Sequence, residues 1–225
     1  MNIKINYLDN ILPITDDKII SLEIENKGCF YRTIVNFIQI SAGELIEDFY
    51  FFDNQKEEIK LFNKILLITD YFNFDIVLKK YSTHLQKMII ENTNEEIVND
   101  LAILYKKFIE KIKKSFRNID FSVNFNDEFS LEQIVKFIKP TIKTSESLIN
   151  NLYLIIDLEK TFNINKILVF VNLKQYLTKE EVEEFYKYCI YNKIKILLIE
   201  NKSYQSTLQN EQKLIIDNDL DEFML

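Results

Sequence analysis

Four short runs of Ile, Leu and Val do most to fix what this chain can fold into: Ile19–Ile24, Ile65–Thr69, Ile167–Val171 and Ile194–Ile199. Such runs fit strands buried on both faces of a mostly parallel sheet, which needs helices packed on either side. Between the last two lie Thr178, Lys179, Glu180 and Glu181, a capping box in which the Thr hydroxyl and the Glu carboxylate each satisfy an orphan backbone donor. A helix over about 179–191 follows, so 166–200 reads as a strand, helix, strand unit with a right-handed connection. Leu214–Ile216 adds a short final strand. The fold class is α/β.

The middle of the chain has a different period. From Ile97 the apolar residues fall at Leu101, Leu104, Tyr105, Phe108, Ile109, Ile112 and Phe116, which is helical spacing, and Thr93 with Glu96 forms a capping box at its start. A helix over about 76–91 precedes it. Another begins after Ser130, with Gln133 completing its cap, and is bent or ended by Pro140. Residues 145–160 repeat the pattern through Leu148, Leu152, Ile155 and Ile156. This predicts a head in two parts, 1–75 and 163–225, with an α-helical leg inserted over 76–162. A chain of 225 residues can give such units a sizeable core.

Between the first strand and first helix, where an α/β nucleotide-binding protein carries its phosphate loop, stand Asn26, Lys27, Gly28, Cys29, Phe30, Tyr31, Arg32 and Thr33. A working loop needs glycine at the first and sixth positions, so that backbone N–H groups close around phosphate oxygens, and a Lys to reach the terminal phosphates. Here Asn26 and Tyr31 hold the glycine positions and Arg32 replaces the Lys. Asp70, after the second strand, stands where a magnesium-supporting carboxylate would be, or else caps a helix. Either this likeness to a P-loop is accidental, or the head keeps a degenerate P-loop ATPase-like architecture for some other purpose; no catalytic or nucleotide-binding residue is assigned to it.

Other chemistries lack their residues. Cys29 and Cys189 are too few for a disulfide framework or a cysteine zinc site. His84 has no Cys or carboxylate at ligand spacing, and no nucleophile elbow or zinc-protease helix occurs. The start lacks the layout of a signal peptide and no apolar run approaches the roughly 20 residues of a membrane span, so the expected location is cytoplasmic, with no membrane partner.

Two charged constellations remain. Lys106, Lys107, Lys111, Lys113, Lys114 and Arg117, opposed within that stretch only by Glu110, make a basic segment in a chain of net charge −7. Phosphate contacts need such clusters, although an amphipathic helix also keeps a charged face for solubility. Asp120, Asp127, Glu128 and Glu132 follow. Carboxylates and amide oxygens are ligands for hard cations, whereas acids near a helix start also complement its dipole.

The blocks Phe51-Phe52-Asp53, Ile59-Lys60, Leu67-Ile68-Thr69-Asp70, Phe74-Asp75 and Leu78-Lys79, and far downstream Leu168-Val169-Phe170-Val171-Asn172 and Tyr176-Leu177-Thr178-Lys179-Glu180-Glu181-Val182, run in order over about 45–200. They resemble the CRISPR-associated accessory protein of type II-A (Nmeni-subtype) adaptation modules. The resemblance implies a non-enzymatic protein with an ATPase-like head and a helical leg. It implies a homotetrameric ring whose positive hole encircles double-stranded DNA, loading at free ends without reading sequence. It implies partnership with the integrase proteins and the RNA-guided nuclease of the module during spacer acquisition, an antiviral defence. It also implies calcium bound by leg carboxylates, here Asp120, Asp127, Glu128 and Glu132 with the amide oxygen of Asn126, since Ser122, Asn124 and Asn126 interrupt the acids. No motif carries the hole-lining lysines over, so the basic segment is assigned to DNA from its charge density alone, with Lys136, Lys139 and Lys143 next. A nucleotide-dependent P-loop enzyme and a protein-interaction scaffold without DNA binding stay open as alternatives.

Overall fold

The structure, a computed structural model, describes residues 1–53, 55, 57–59, 64–116, 123–204 and 206–225. The chain divides into two compact units, one of Met1–Phe74 with Thr144–Leu225 and one of Asp75–Lys143.

The first unit holds two sheets. The larger takes strands β3 (Ile19–Ile24), β5 (Ile65–Ile68), β6 (Ile167–Val171), β7 (Lys195–Glu200), β8 (Glu211–Ile216) and β9 (Glu222–Met224) in the order β5-β6-β7-β3-β8-β9. Every pairing is parallel except that of β8 with β9. The smaller is antiparallel, β2-β1-β4, built from β1 (Asn2–Ile5), β2 (Ile11–Pro13) and β4 (Phe49–Phe52). The apolar runs thus become strands as their composition predicts, whereas the small sheet and β9 carry no comparable run.

Successive side chains of a strand point to opposite faces, and the register sorts the large sheet accordingly. Ile20, Leu22 and Ile24 align with Leu197, Ile199, Leu214 and Ile216. That face packs on Phe37 and Ile40 of helix α1 (Lys27–Ser41) and on Ile3, Ile5, Phe49 and Phe51 of the small sheet. On the opposite face Phe170 of β6 meets Phe185 of α7 (Lys179–Tyr191) edge to face, with centroids 5.6 Å apart. The capping box forms as expected: Thr178 accepts from the Glu181 N–H and the Glu181 carboxylate accepts from the Thr178 N–H.

Helix α6 (Leu148–Thr161) buries Leu152, Ile155 and Ile156, and Tyr153 packs at a tilt against Phe185 and Tyr188 of α7. It belongs to the sheet-bearing unit, so the helical unit ends at Lys143 and not near residue 162 as its amphipathic pattern suggests.

The second unit contains α2 (Phe74–Leu78, beginning one residue before it), α3 (Ser82–Asn92), α4 (Glu95–Ser115) and α5 (Leu131–Ile138). A 3-10 turn at Lys79–Tyr81 interrupts the single helix expected over 76–91. The start of α4 is capped by Asn94, whose side chain accepts from the Ile97 N–H at 2.9 Å. Thr93 instead gives its hydroxyl to the Ile89 carbonyl at 2.7 Å, so the anticipated box of Thr93 and Glu96 does not form. Ser130 caps α5 by accepting from the Gln133 N–H, and α5 ends at Lys139, in the left-handed region at φ 52°, just before Pro140.

Candidate functional site

The turn between β3 and α1 has the position of a phosphate loop but is closed by the chain's own groups. Asn26 caps α1, its Oδ1 accepting from the Cys29 N–H at 2.9 Å, where an incoming oxyanion would otherwise take that donor. Its Nδ2 donates to the Asn218 carbonyl at 2.9 Å, tying the turn to the segment between β8 and β9. Gly28 provides no special room: a Cβ there would lie 3.4 Å from Asn26 Oδ1, an ordinary contact.

The two residues that would serve phosphate and magnesium are also engaged. Arg32 forms an ion pair with Asp48 and lies 4.4 Å over the Tyr7 ring. Thr33 is fully buried, gives its hydroxyl to the Cys29 carbonyl at 2.8 Å and meets the Tyr7 hydroxyl at 2.9 Å. Burial raises the Tyr7 phenol and the Cys29 thiol above their usual pKa values, so neither is poised to ionise. Asp70 accepts from the Phe72 and Asn73 N–H groups at 2.8 and 3.2 Å, the capping role. Its strand β5 is the sheet edge, three places from β3, or about 14 Å at ordinary strand spacing. Asp70 therefore does not stand beside the β3–α1 turn. The strand that adjoins β3 on that side is β7, ending in the buried Glu200, which pattern reasoning missed because a lone Glu ending an apolar run looks like a solvated strand end.

In the helical unit, α4 presents the basic segment. Lys106, Lys107, Lys111, Lys113 and Lys114 are exposed; Lys107, Lys111 and Lys114 lie on the side of the helix away from the half-buried Leu101, Tyr105, Ile109 and Ile112, and Lys106 and Lys113 flank that stripe. Lys113 alone of the five has an ion pair among the described residues, with Asp127 at 2.6 Å. Lys136, Lys139 and Lys143 are exposed as well. Arg117 and Asp120 lie outside the described residues. Of the remaining acidic set, Asp127 is occupied by Lys113, Asn126 Oδ1 accepts from the Glu128 N–H at 3.1 Å, and the Asn126 carbonyl accepts from the Tyr105 hydroxyl. Glu132 sits in the first turn of α5, complementing its dipole. Among the described residues no three acidic, His or Cys side chains gather as a metal site. His84 likewise joins no such group.

A parallel sheet in ATPase style, a phosphate turn shut from within and a helical insertion with a row of lysines together define an ATPase-like head stripped of its phosphate machinery. The chain belongs to the Csn2 family of CRISPR-associated proteins: the family described as CRISPR-associated protein (Cas_Csn2) matches residues 44–220. It is 25% identical over 226 residues to the CRISPR-associated protein Csn2 of Streptococcus agalactiae, covering 96% of each chain. Against the Csn2 protein of Enterococcus faecalis it is 24% identical over 213 residues, covering 91% of each. The crystal structure of Stu0660 of Streptococcus thermophilus superposes with a TM-score of 0.66 at 14% identity, over all of this chain and 76% of that one, and so shares the fold. Among the described residues no helix is long and apolar enough to cross a membrane.

Proposed function

We propose that this protein is a non-enzymatic cytoplasmic subunit of a CRISPR adaptation module, forming a homotetrameric ring that encircles double-stranded DNA ends without reading sequence. The observation that carries the DNA contact is the exposed row Lys106, Lys107, Lys111 and Lys114 on α4, with no ion pair among the described residues, in a protein whose total charge is −7. A ring concentrates a few such ammonium groups per subunit around one duplex, where they meet phosphates and release counterions. Lys113 lies on the same helix, and Arg117 follows in the same basic stretch of sequence. The closed turn at Asn26–Thr33 supports the absence of nucleotide turnover. Assembly is supported by α4 itself, which has no buried residue and leaves Ile97, Leu104 and Phe108 about half exposed or more. The integrase proteins and RNA-guided nuclease of the module are the proposed partners.

Gel shift of linear against closed circular duplex tests the reading, with retention of linear DNA expected. Equal retention of closed circles would remove end loading, and no retention of either would leave a protein-interaction scaffold. Measurable ATP hydrolysis with magnesium would restore the enzyme alternative. Calcium enters this proposal through the oxygen-bearing set Asp120, Asn126, Asp127, Glu128 and Glu132, and requires Lys113 to release Asp127. A calcium titration that leaves Tm and DNA binding unchanged takes it out.

A further inference from the structure

On the face of the large sheet turned away from α1, charged side chains run inward. Glu23 of β3, Glu200 at the end of β7, and Glu211 and Lys213 of β8 are all buried. Lys174 enters from the 3-10 turn at Leu173–Gln175 with its side chain only 5% exposed. Lys174 Nζ lies 2.8 Å from Glu23 Oε1 and 2.5 Å from Glu211 Oε1, and Lys213 Nζ lies 3.3 Å from Glu23 Oε1. Two ammonium groups thus answer two carboxylates. Glu200 is the third carboxylate, and among the described residues no cation is left for it. Its Oε1 accepts from the Lys174 N–H at 3.1 Å, while its Oε2 is shut from solvent and accepts from none of the described residues. An ionised carboxylate there would be a buried charge without compensation, which proteins avoid by neutralising the group.

We infer that this cluster holds one exchangeable proton, on Glu200, and that its loss to solvent loosens the anchoring of Tyr204 and Ser206 on the sheet. The anchors all end on cluster members. The Tyr204 N–H donates to Glu23 Oε2 at 2.8 Å, Lys213 Nζ donates to the Tyr204 and Ser206 carbonyls at 2.8 and 2.9 Å, and the Leu208 N–H donates to Glu211 Oε2 at 3.1 Å. Lys174 also lies 5.0 Å over the Tyr204 ring. A new negative charge beside Glu23 and Glu211 competes for the same two ammonium groups and draws water toward Glu200. Ser203, Ser206 and Thr207 are exposed.

The groups that face Glu200 act in both directions. Burial is the largest influence and raises its pKa to about 7; the Lys174 N–H and ammonium oppose this, and Glu23 and Glu211 add to it. Lys213 of β8, Tyr71 after β5, Tyr186 of α7 and Tyr204 complete the surroundings, and all three phenols are raised and stay neutral. Below about 7 the carboxyl keeps its proton and the cluster is neutral; above it the cluster carries one net negative charge. Because the folded-state value is higher than the ordinary 4.5, the contribution to stability is full below 4.5 and is lost as pH rises toward about 7. This amounts to about tenfold in the unfolding constant per pH unit within that window.

The test uses the intact protein and Glu200→Gln, which mimics the neutral carboxyl. Infrared titration of the native chain should show one carboxylic-acid band persisting after ordinary carboxylates have ionised and disappearing near pH 7, absent from Glu200→Gln. The ratio of native to variant unfolding constants should change about tenfold per pH unit across the window. The Tyr204 N–H, read by NMR and corrected for intrinsic exchange, should lose protection above about 7 in the native protein but not in the variant, while the Asn172 N–H, bonded to the Ile199 carbonyl at 2.8 Å, stays protected in both. No persisting acid band overturns the proton. Parallel stability profiles do the same, and unchanged Tyr204 protection overturns the loosening. The infrared measurement on the native chain decides the first point even where the variant fails to fold.

Discussion

The two units of this protein are stabilised in opposite ways. In the sheet-bearing unit β3, β6 and β7 are buried along almost their whole length, on one side by α1 and the small sheet and on the other by α7. In the helical unit α4 is 21 residues long and buries none of them. Its apolar side rests on the short segment beyond the helix, through Tyr105 on Phe129 and Phe116 on Phe125. An isolated helix is marginal in water, and most helical stability in proteins comes from packing an amphipathic face. The difference teaches a division of labour: the head buries its apolar residues within itself, whereas α4 leaves both apolar side chains and lysines exposed among the described residues.

The largest effect that could break this contrast is a core truncation in each unit. Phe170→Ala, at a side chain with no exposure against Phe185, is expected to lower the unfolding free energy by about 3–5 kcal/mol in urea denaturation. Phe108→Ala, at a side chain 59% exposed, is expected to change it by less than about 0.5 kcal/mol while weakening self-association in sedimentation. Comparable losses of stability at both sites would mean that α4 is packed as the head is.

Next in size is the lysine row. Replacing Lys106, Lys107, Lys111 and Lys114 together by Ala is expected to lower affinity for linear duplex by at least about tenfold and to reduce the log–log salt slope by about 0.9 for each phosphate that is no longer neutralised. Lys111→Ala should weaken binding more than Lys113→Ala, because Lys113 already shares its charge with Asp127. An unchanged salt slope in the fourfold variant would move the DNA-binding surface elsewhere, with Lys136, Lys139 and Lys143 next to be changed.

How much of each unit was legible in the sequence follows the same contrast. The strands β3, β5, β6 and β7 announce themselves because burial on two faces demands unbroken apolar runs. The small sheet does not: Asn2–Ile5 offers one alternation over four residues, and while β2 follows closely, its other partner β4 begins at Phe49, beyond the whole of β3 and α1. Helix α6 reads as one more amphipathic helix, and nothing local says that its partner is α7. At the phosphate turn the missing glycines disclose the lost chemistry, but the bond from Asn26 to Asn218, 192 residues away, is beyond any local pattern. The buried Glu23, Glu200, Glu211 and Lys213, and the inward-turned Lys174 side chain of the 3-10 turn, were invisible because charged residues are ordinarily solvated.

The smallest test compares two helix caps. Thr178→Ala removes the hydroxyl from the box that starts α7, and α7 is welded to the core through Phe185, Tyr186 and Cys189. Losing that cap should subtract about 1 kcal/mol from the single unfolding transition of the head, since the helix cannot fray without exposing them. Asn94→Ala removes the corresponding oxygen from the Ile97 N–H at the start of α4. The local loss is similar, about 1 kcal/mol, but α4 has no buried side chain to couple its first turn to the rest. It should therefore appear as reduced helical circular dichroism with the main transition unmoved. Addition of linear duplex should restore the lost signal if the lysine row binds it, because a ligand that favours the helical form stabilises it by mass action. A shift of the main transition by Asn94→Ala equal to that of Thr178→Ala would show α4 to be coupled to the core, and the contrast between the two units would fall.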